Sequence, residues 1–534
     1  MDRSWDVIIV GAGPSGLTLA LDLGRRGVSC LLMDRNPRPS GLPKMERCNA
    51  RTMEIYRRMG LSEEIRRAGF PADVSMDIFL VFSLAEPALF RLPYPSVAEY
   101  RAQIDARNDG VLPREPYQLI SQYTLEPLLK AHADRHPLID VRFGHELVGF
   151  SQDADGVTIE AQRSDGGHER FRARYMVGCD GGSSLVRKTL GIGLEGEANL
   201  LEMRQGLFYA PDLFDRIAIG RGRHYHLVDQ QSTFLIVQDD TKHFTLHSVA
   251  GEDAEMPRRF ERIVGMPVNY ETKYVGRWKQ NLLYATRVMD RRVFIAGDAA
   301  HLVIPTGGLG MNSGVGDAVD LGWKLAATLS GWGGPGLLES YEAERQPIAK
   351  RNVAASRFAT LGRRAWRDAC VPEVWETTPA GLAAREHLVR LTDVEQRKSA
   401  EMAGAELGYC YADSPIVCNE SDPPSDDFIR YQPSACAGAR LPHVWIAPGV
   451  AIQDLVPDGF TLIDLSHGAQ DASGLAQAFG ARGAPFSVLP IACEAARNLY
   501  ERDLVLVRPD LHVVWRGDRP PDDPDSLVAR VTGH

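Results

Sequence analysis

Apolar positions along the first 35 residues form a run, a break and a second run. Residues 5–10 are almost continuously apolar, as a parallel strand buried on both faces requires. A glycine-rich turn follows, then a helical stretch over 17–24 ending near Gly27, then a second apolar run over 28–33. This is one βαβ unit. Residues 43–70 read as helical, 71–115 as irregular and proline-rich, and 118–132 as helix. Strand-like runs follow at 141–150, 157–162 and 171–177, and again at 225–228, 233–237 and 244–249 within a β-rich block over 203–290. Residues 337–372 read as a charged helix and 413–434 as a linker or surface loop. Strands over 460–465, 486–489, 504–507 and 512–515 build a compact α/β tail.

Three turn motifs punctuate this pattern. Gly11-Ala12-Gly13-Pro14-Ser15-Gly16 fits G-x-G-x-x-G between strand and helix. Its glycines permit a tight turn and close approach to a pyrophosphate, and the helix start offers free N–H groups. Asp34, 18 residues past Gly16, ends the second strand where a ribose-binding acid is expected. Arg35 beside it leaves room for a phosphorylated ribose. The second motif, residues 177–184, places Asp180 before a short helix; alone it could be an ordinary αβ connection. The third places Asp298, after Gly297, at the carboxyl end of a strand. A loop with Pro305, Gly308, Leu309, Gly310, Met311 and Asn312 then leads into a helix. Such a helix start suits an acceptor that becomes anionic on reduction.

Composition narrows the class. The 534 residues carry 60 Lys and Arg against 70 Asp and Glu, a net charge of -10. That balance argues against nucleic acid or an anionic membrane as partner. The eight cysteines form no C-x-x-C pair and no zinc-spaced group, so no metal is expected and the thiols are read as reduced, in a cytoplasmic protein. No run of about 18 apolar residues suggests a membrane span.

Together the motifs resemble the class A flavoprotein aromatic hydroxylases, the para-hydroxybenzoate and phenol hydroxylase group. Residues 49–54 are nearest the 2,4-dichlorophenol 6-monooxygenase branch. Residues 297–326 and 340–347 also match, and the resemblance covers 5–355. It implies a Rossmann-type FAD domain (1–75, 110–190 and 285–360) interrupted by a mostly β substrate domain (76–109 and 191–284). A helical connection over 361–410 and a thioredoxin-like domain over 411–534 would follow. Lacking C-x-x-C, the tail is read as structural or oligomer-forming, with a homodimer as one expected assembly.

The resemblance further implies that NADH or NADPH reduces FAD, and that oxygen adds to form a C4a-hydroperoxyflavin, which hydroxylates a phenolic or related aromatic substrate. Asp34 would hold the adenosine ribose and Asp298 the ribityl chain, with residues 307–312 against the isoalloxazine. Asp180 would serve the motif linked to both FAD and NAD(P)H, and Gln122 would touch the flavin. Lys44 stands where many members carry Arg, keeping the charge but losing the planar fork. His301 is read as structural support. For the substrate, His224 and His226 share one face of a strand and Tyr225 the other; these three are the catalytic candidates, against the alternative of ordinary surface histidines. A flavin oxidase or dehydrogenase, or a non-enzymatic flavin-binding protein, are the other readings.

Overall fold

The structure, a computed structural model, describes residues 4–420 and 424–534. The first βαβ unit is present as strand Trp5–Val10, helix Pro14–Arg25 and strand Cys30–Asp34. Trp5–Val10 pairs in parallel with Cys30–Asp34 on one side and His168–Gly178 on the other. His168–Gly178 pairs in parallel with Val293–Ile295. These strands belong to an eight-stranded sheet, and Val7, Ile8, Ile9, Val177 and Phe294 are fully buried in its core. Because the three motif-bearing strands are parallel neighbours, all three turns emerge at one carboxyl edge, where open α/β sheets bind ligands.

A seven-stranded sheet stands beside it. Its order is Glu271–Lys279, Glu202–Tyr209, His243–Ser248, Phe234–Val237, His224–Leu227, Ile78–Val81 and Phe90–Leu92. One face is a core of Phe79, Tyr225, Leu235, Phe244 and Leu246 under helix Glu255–Val264. The other face carries His224, His226, Phe234 and His247.

Three stretches differ from expectation. Residues 71–115 are not irregular: they contain two strands of this sheet and helix Val97–Asp105, which a Ser96–Glu99 capping box starts. Ile78–Val81 is short, and its parallel partner His224–Leu227 lies far along the chain, so local pattern could not show it. Residues 43–70 are not one helical stretch. Arg47–Cys48 pairs as a strand with Gln118–Leu119, and helices Ala50–Arg58 and Ser62–Ala68 are separated at Gly60, φ 75°. The helix expected from 118 therefore starts at Gln122.

In the tail, Phe460–Asp464 pairs in parallel with Phe486–Pro490 and antiparallel with Leu504–Val507, which pairs antiparallel with Val513–Gly517. Helices Ser473–Ala481, Glu494–Tyr500 and Pro524–Thr532 accompany this thioredoxin-like sheet. Residues 421–423 of the expected linker lie outside the described residues. Buried charge fixes the tail to the rest. Arg508 bonds Glu344 at 2.6 Å, Asp320 at 2.9 Å and Asp510 at 2.8 Å, and Lys324 bonds Asp320 and Glu344 at 2.8 and 2.6 Å. Three carboxylates face two cations there, so burial pushes the Asp320 carboxyl up. Among the described residues, no helix is long and apolar enough to cross a membrane.

Candidate cofactor and substrate site

The three motifs interlock through glycines. Gly11 has φ 104°, and a Cβ there would stand 2.3 Å from the Cys179 carbonyl oxygen of the second motif. A Cβ on Gly16 would meet the Gly11 oxygen at 2.0 Å. Gly297 has φ 62°, and a Cβ on Gly314 would stand 3.0 Å from its Cα and 2.2 Å from Ser15 Oγ. Side chains are excluded there, so the backbones of all three turns close on one another. They border a continuous cavity of about 830 Å³.

Of the expected cofactor residues, Gly11, Gly13, Pro14, Ser15, Asp34, Arg35, Lys44, Gln122, Asp180, Asp298, Pro305, Gly308, Gly310, Met311 and Asn312 all line it. Three do not. Gly16 and Gly297 shape the turns from behind, and Leu309 is buried with Ala355, Ala359 and Met402. Asp34 accepts from the Ala12 N–H at 2.8 Å and the Asn36 N–H at 2.8 Å, which fixes its carboxylate at the strand end. Asp180 accepts from Ser184 Oγ at 2.5 Å and the Leu185 N–H at 2.7 Å, which anchors the start of helix Leu185–Thr189 at the cavity wall. Asp298 is exposed on the cavity, with the rest of the protein crowded around it. Burial pushes its carboxyl up, against the pull of His301 and Lys44. Gln122 donates to Glu126 at 2.5 Å, and Glu126 accepts from the Ser40 N–H at 2.8 Å. Glu126 and Arg187 were not legible as site residues; Arg187 ties the second motif to the third by donating to the Gly182 and Ala299 oxygens, both at 3.0 Å.

The third-motif loop is held rigidly. Gly307 and Gly308 have φ 92° and 67°, a turn closed by the Gly308 N–H on the Pro305 oxygen at 2.9 Å. Asn312 accepts from the Asn49 N–H at 2.9 Å and donates to the Arg47 and Gly308 oxygens at 3.0 and 2.6 Å. Arg47 donates to the Gly307 oxygen at 3.3 Å and pairs with Glu406. Lys44 lines the cavity as expected, and Arg47, three residues on, adds a guanidinium whose placement the strand pairing of Arg47 sets. Behind the loop, Asp317 accepts from the Gly297 N–H at 3.0 Å, His301 Nε2 at 2.8 Å and Arg345 Nε at 2.7 Å. Those partners hold its carboxyl down, at about 2, although burial opposes them. His301 therefore supports the turn, as expected.

Past this loop the cavity opens under the polar face of the seven-stranded sheet. His224 and His226 both line it, with Phe234, His247 and Trp278. His224 Nε2 lies 3.0 Å from Glu46 Oε2. Burial opposes ionisation of Glu46, but its hydrogen bond to His224 and the nearby Arg223 and His247 hold it at about 2. An ionised Glu46 only accepts, so His224 donates from Nε2; in the neutral imidazole that leaves Nδ1 as an acceptor. His226 Nδ1 receives Arg367 Nη2 at 3.0 Å. Arginine only donates, so His226 is neutral with its proton on Nε2; burial, Arg363 and Arg367 all keep it uncharged. Tyr225 is a correction: it is fully buried on the opposite face, stacked 5.2 Å from Phe79, and donates to the Gly220 oxygen. It does not reach the cavity.

The residues fit a flavin dinucleotide. Glycines open the backbone approach, Asp34 closes the first unit, Asp298 faces the cavity without a hydrogen-bond partner among the described residues, and helix Gly310–Leu329 points its N-terminus inward.

Comparison with known proteins agrees. Residues 4–356 match the FAD binding domain family, and 434–534 match the aromatic-ring hydroxylase C-terminal family. The chain is 32% identical to the FAD-dependent monooxygenase apdD of Emericella nidulans, over 99% of this chain and 90% of that protein. It is 32% identical to aklavinone 12-hydroxylase RdmE of Streptomyces purpurascens, over 99% and 98%. Among solved structures it is similar to RebC with bound 7-carboxy-K252c, at TM-score 0.91, 32% identity and full coverage of both chains. It is also similar to an aklavinone-11 hydroxylase with FAD and aklavinone, at TM-score 0.82, 29% identity and full coverage of both chains. These relatives favour hydroxylation over the oxidase and non-enzymatic readings. The chain belongs to the FAD-dependent aromatic-ring hydroxylases and is a monooxygenase of that family, using NAD(P)H and O2.

Proposed function

We propose that this monooxygenase hydroxylates a phenolic ring of a fused-ring aromatic compound of the polyketide type, and that the Glu46–His224 pair takes the phenol proton. The Glu46–His224 contact inside the cavity carries this reading. Relatives named for aklavinone and polyketide hydroxylation support the substrate class.

The Gly11–Gly16 turn, Asp34, Asp298 and the 307–312 loop would hold the dinucleotide. Bound there, FAD supplies reduction by NAD(P)H and transfer of one oxygen atom from O2 to a ring carbon. The protein's part is positional and electrostatic. His224 Nδ1 accepts the phenol proton, which raises electron density ortho and para to the oxygen. Glu46 orients the imidazole and stabilises the cation that forms, as the carboxylate of a catalytic triad does. His226, fixed as the Nε2–H tautomer, donates. The apolar walls exclude water from the transfer. The two sheets divide this work, with 78–92 and 202–279 serving the substrate.

The test is a panel of fused-ring and single-ring phenols assayed for stimulated NAD(P)H oxidation with product detection. Fused-ring phenols are expected to couple oxidation to product, and His224→Asn to lower kcat by roughly 10²–10⁴-fold with FAD content unchanged. Turnover of single-ring phenols alone, or full activity in the His224 variant, would refute the reading.

A further inference from the structure

One cation in the substrate chamber has no counter-charge. Arg363 stands near the end of helix Pro335–Asp368, where the helix roofs the chamber beside Thr360 and Gln396. Arg367, one turn on, has its counter-charge: it bonds Asp229 Oδ1 at 3.2 Å, the Thr233 oxygen at 2.9 Å and His226, and only its Nε is left without a partner. Arg363 has no ion pair or hydrogen bond among the described residues. Its Nε is buried and unpartnered, and its guanidinium lies 5.3 Å over the Phe234 ring. Glu46, the one carboxylate whose field reaches it, is committed to His224 and faces Arg223. Arg47, also over the substrate end, already has Glu406, and Arg364, the next residue on the helix, borders the same chamber but is exposed.

Arg363 is half-buried with its Nε enclosed; holding a guanidinium partly out of water without a counter-charge costs stability, and such groups persist where a ligand completes them. The free donors are planar and forked, which suits a carboxylate better than a neutral carbonyl. Phe234 beneath the guanidinium positions it to lie alongside a flat ring system.

We propose that Arg363 binds a carboxylate on the aromatic substrate, so that the hydroxylated ring lies toward the Glu46–His224 pair and the acid lies under the helical roof. The proposal rests on the chamber being the substrate site.

The test uses the FAD-loaded protein and two probes, 3-hydroxy-2-naphthoic acid and its carboxamide, titrated by perturbation of flavin absorbance. The acid is expected to bind at least tenfold more tightly than the amide, a difference of about 1.4 kcal/mol. In Arg363→Met that preference should vanish with amide affinity unchanged, and Arg363→Lys should restore part of it. Thermal stability of Arg363→Met should equal or exceed that of the parent, because the guanidinium has no ion pair or hydrogen bond to lose and the methionine can still pack on Phe234. Failure of the acid to bind at millimolar concentration, equal binding of both probes, or a preference surviving in Arg363→Met overturns the proposal. An acid that binds through Arg363 but yields no oxygenated product from any phenol would instead sink the hydroxylation reading and leave the anion site standing.

Discussion

Glu46 and His224 lie 3.0 Å apart although one precedes the seven-stranded sheet and the other belongs to it. The contact places an acid–imidazole pair where the cofactor cavity meets the substrate chamber. Glu46→Gln keeps the shape but removes the charge that stabilises a protonated His224. It is expected to lower kcat by about 10²-fold with a smaller change in KM. Substrates already ionised at the assay pH should lose much less. Steady-state kinetics with phenols of graded acidity checks this, and an equal loss for all of them would contradict it.

The glycine contacts make a second prediction. Gly11→Ala puts a Cβ 2.3 Å from a backbone oxygen at φ 104°. Neither the carbonyl nor the turn has room to yield, so the variant should purify with little flavin. The ratio of flavin to protein absorbance measures it. Full flavin occupancy would contradict the interlocked-turn account.

The tail is predicted to stabilise the whole chain through Arg508. Its guanidinium is fully buried between Glu344, Asp320 and Asp510. Arg508→Met removes one of the two cations that face three buried carboxylates and leaves Lys324 to Asp320 and Glu344, at a cost of about 3–5 kcal/mol. A clear fall in Tm is expected, and an unchanged Tm would show that the network is dispensable.

Acid stability follows from the buried histidines. Burial and the nearby Arg363 and His224 lower His247 from 6.5 to about 4, against the pull of Glu46, and burial lowers His443 to about 3. The unfolded chain binds these protons first. Stability is therefore complete above pH 6.5 and is lost as pH falls toward 4, by about 3 kcal/mol for His247 alone. Urea midpoints at pH 7 and pH 5 should differ, and His247→Gln should narrow the difference. An unaltered slope in that variant would refute the assignment.

Much of this was legible in the sequence because it is local. The Gly11–Gly16 turn, Asp34 and the 305–312 loop announce themselves by spacing, since strand, turn and helix are adjacent. The pairing of His224 and His226 on one face follows from the period of two. What was hidden is long-range. Arg47 reads as part of a helix until its pairing with Leu119 makes it a strand. Glu46 and Arg363 gain meaning only when segments more than 100 residues apart meet around one cavity. Tyr225 was misplaced among the candidates because composition drew attention to a tripeptide whose alternation sends its middle residue into the core.

Oxygen-18 labelling tests the central claim most directly. The FAD-loaded protein, NAD(P)H and a fused-ring phenol under labelled O2 should give a product carrying one labelled oxygen on the ring, with NAD(P)H consumed in step. Consumption yielding only labelled hydrogen peroxide, with no labelled product from any aromatic substrate, would contradict the account.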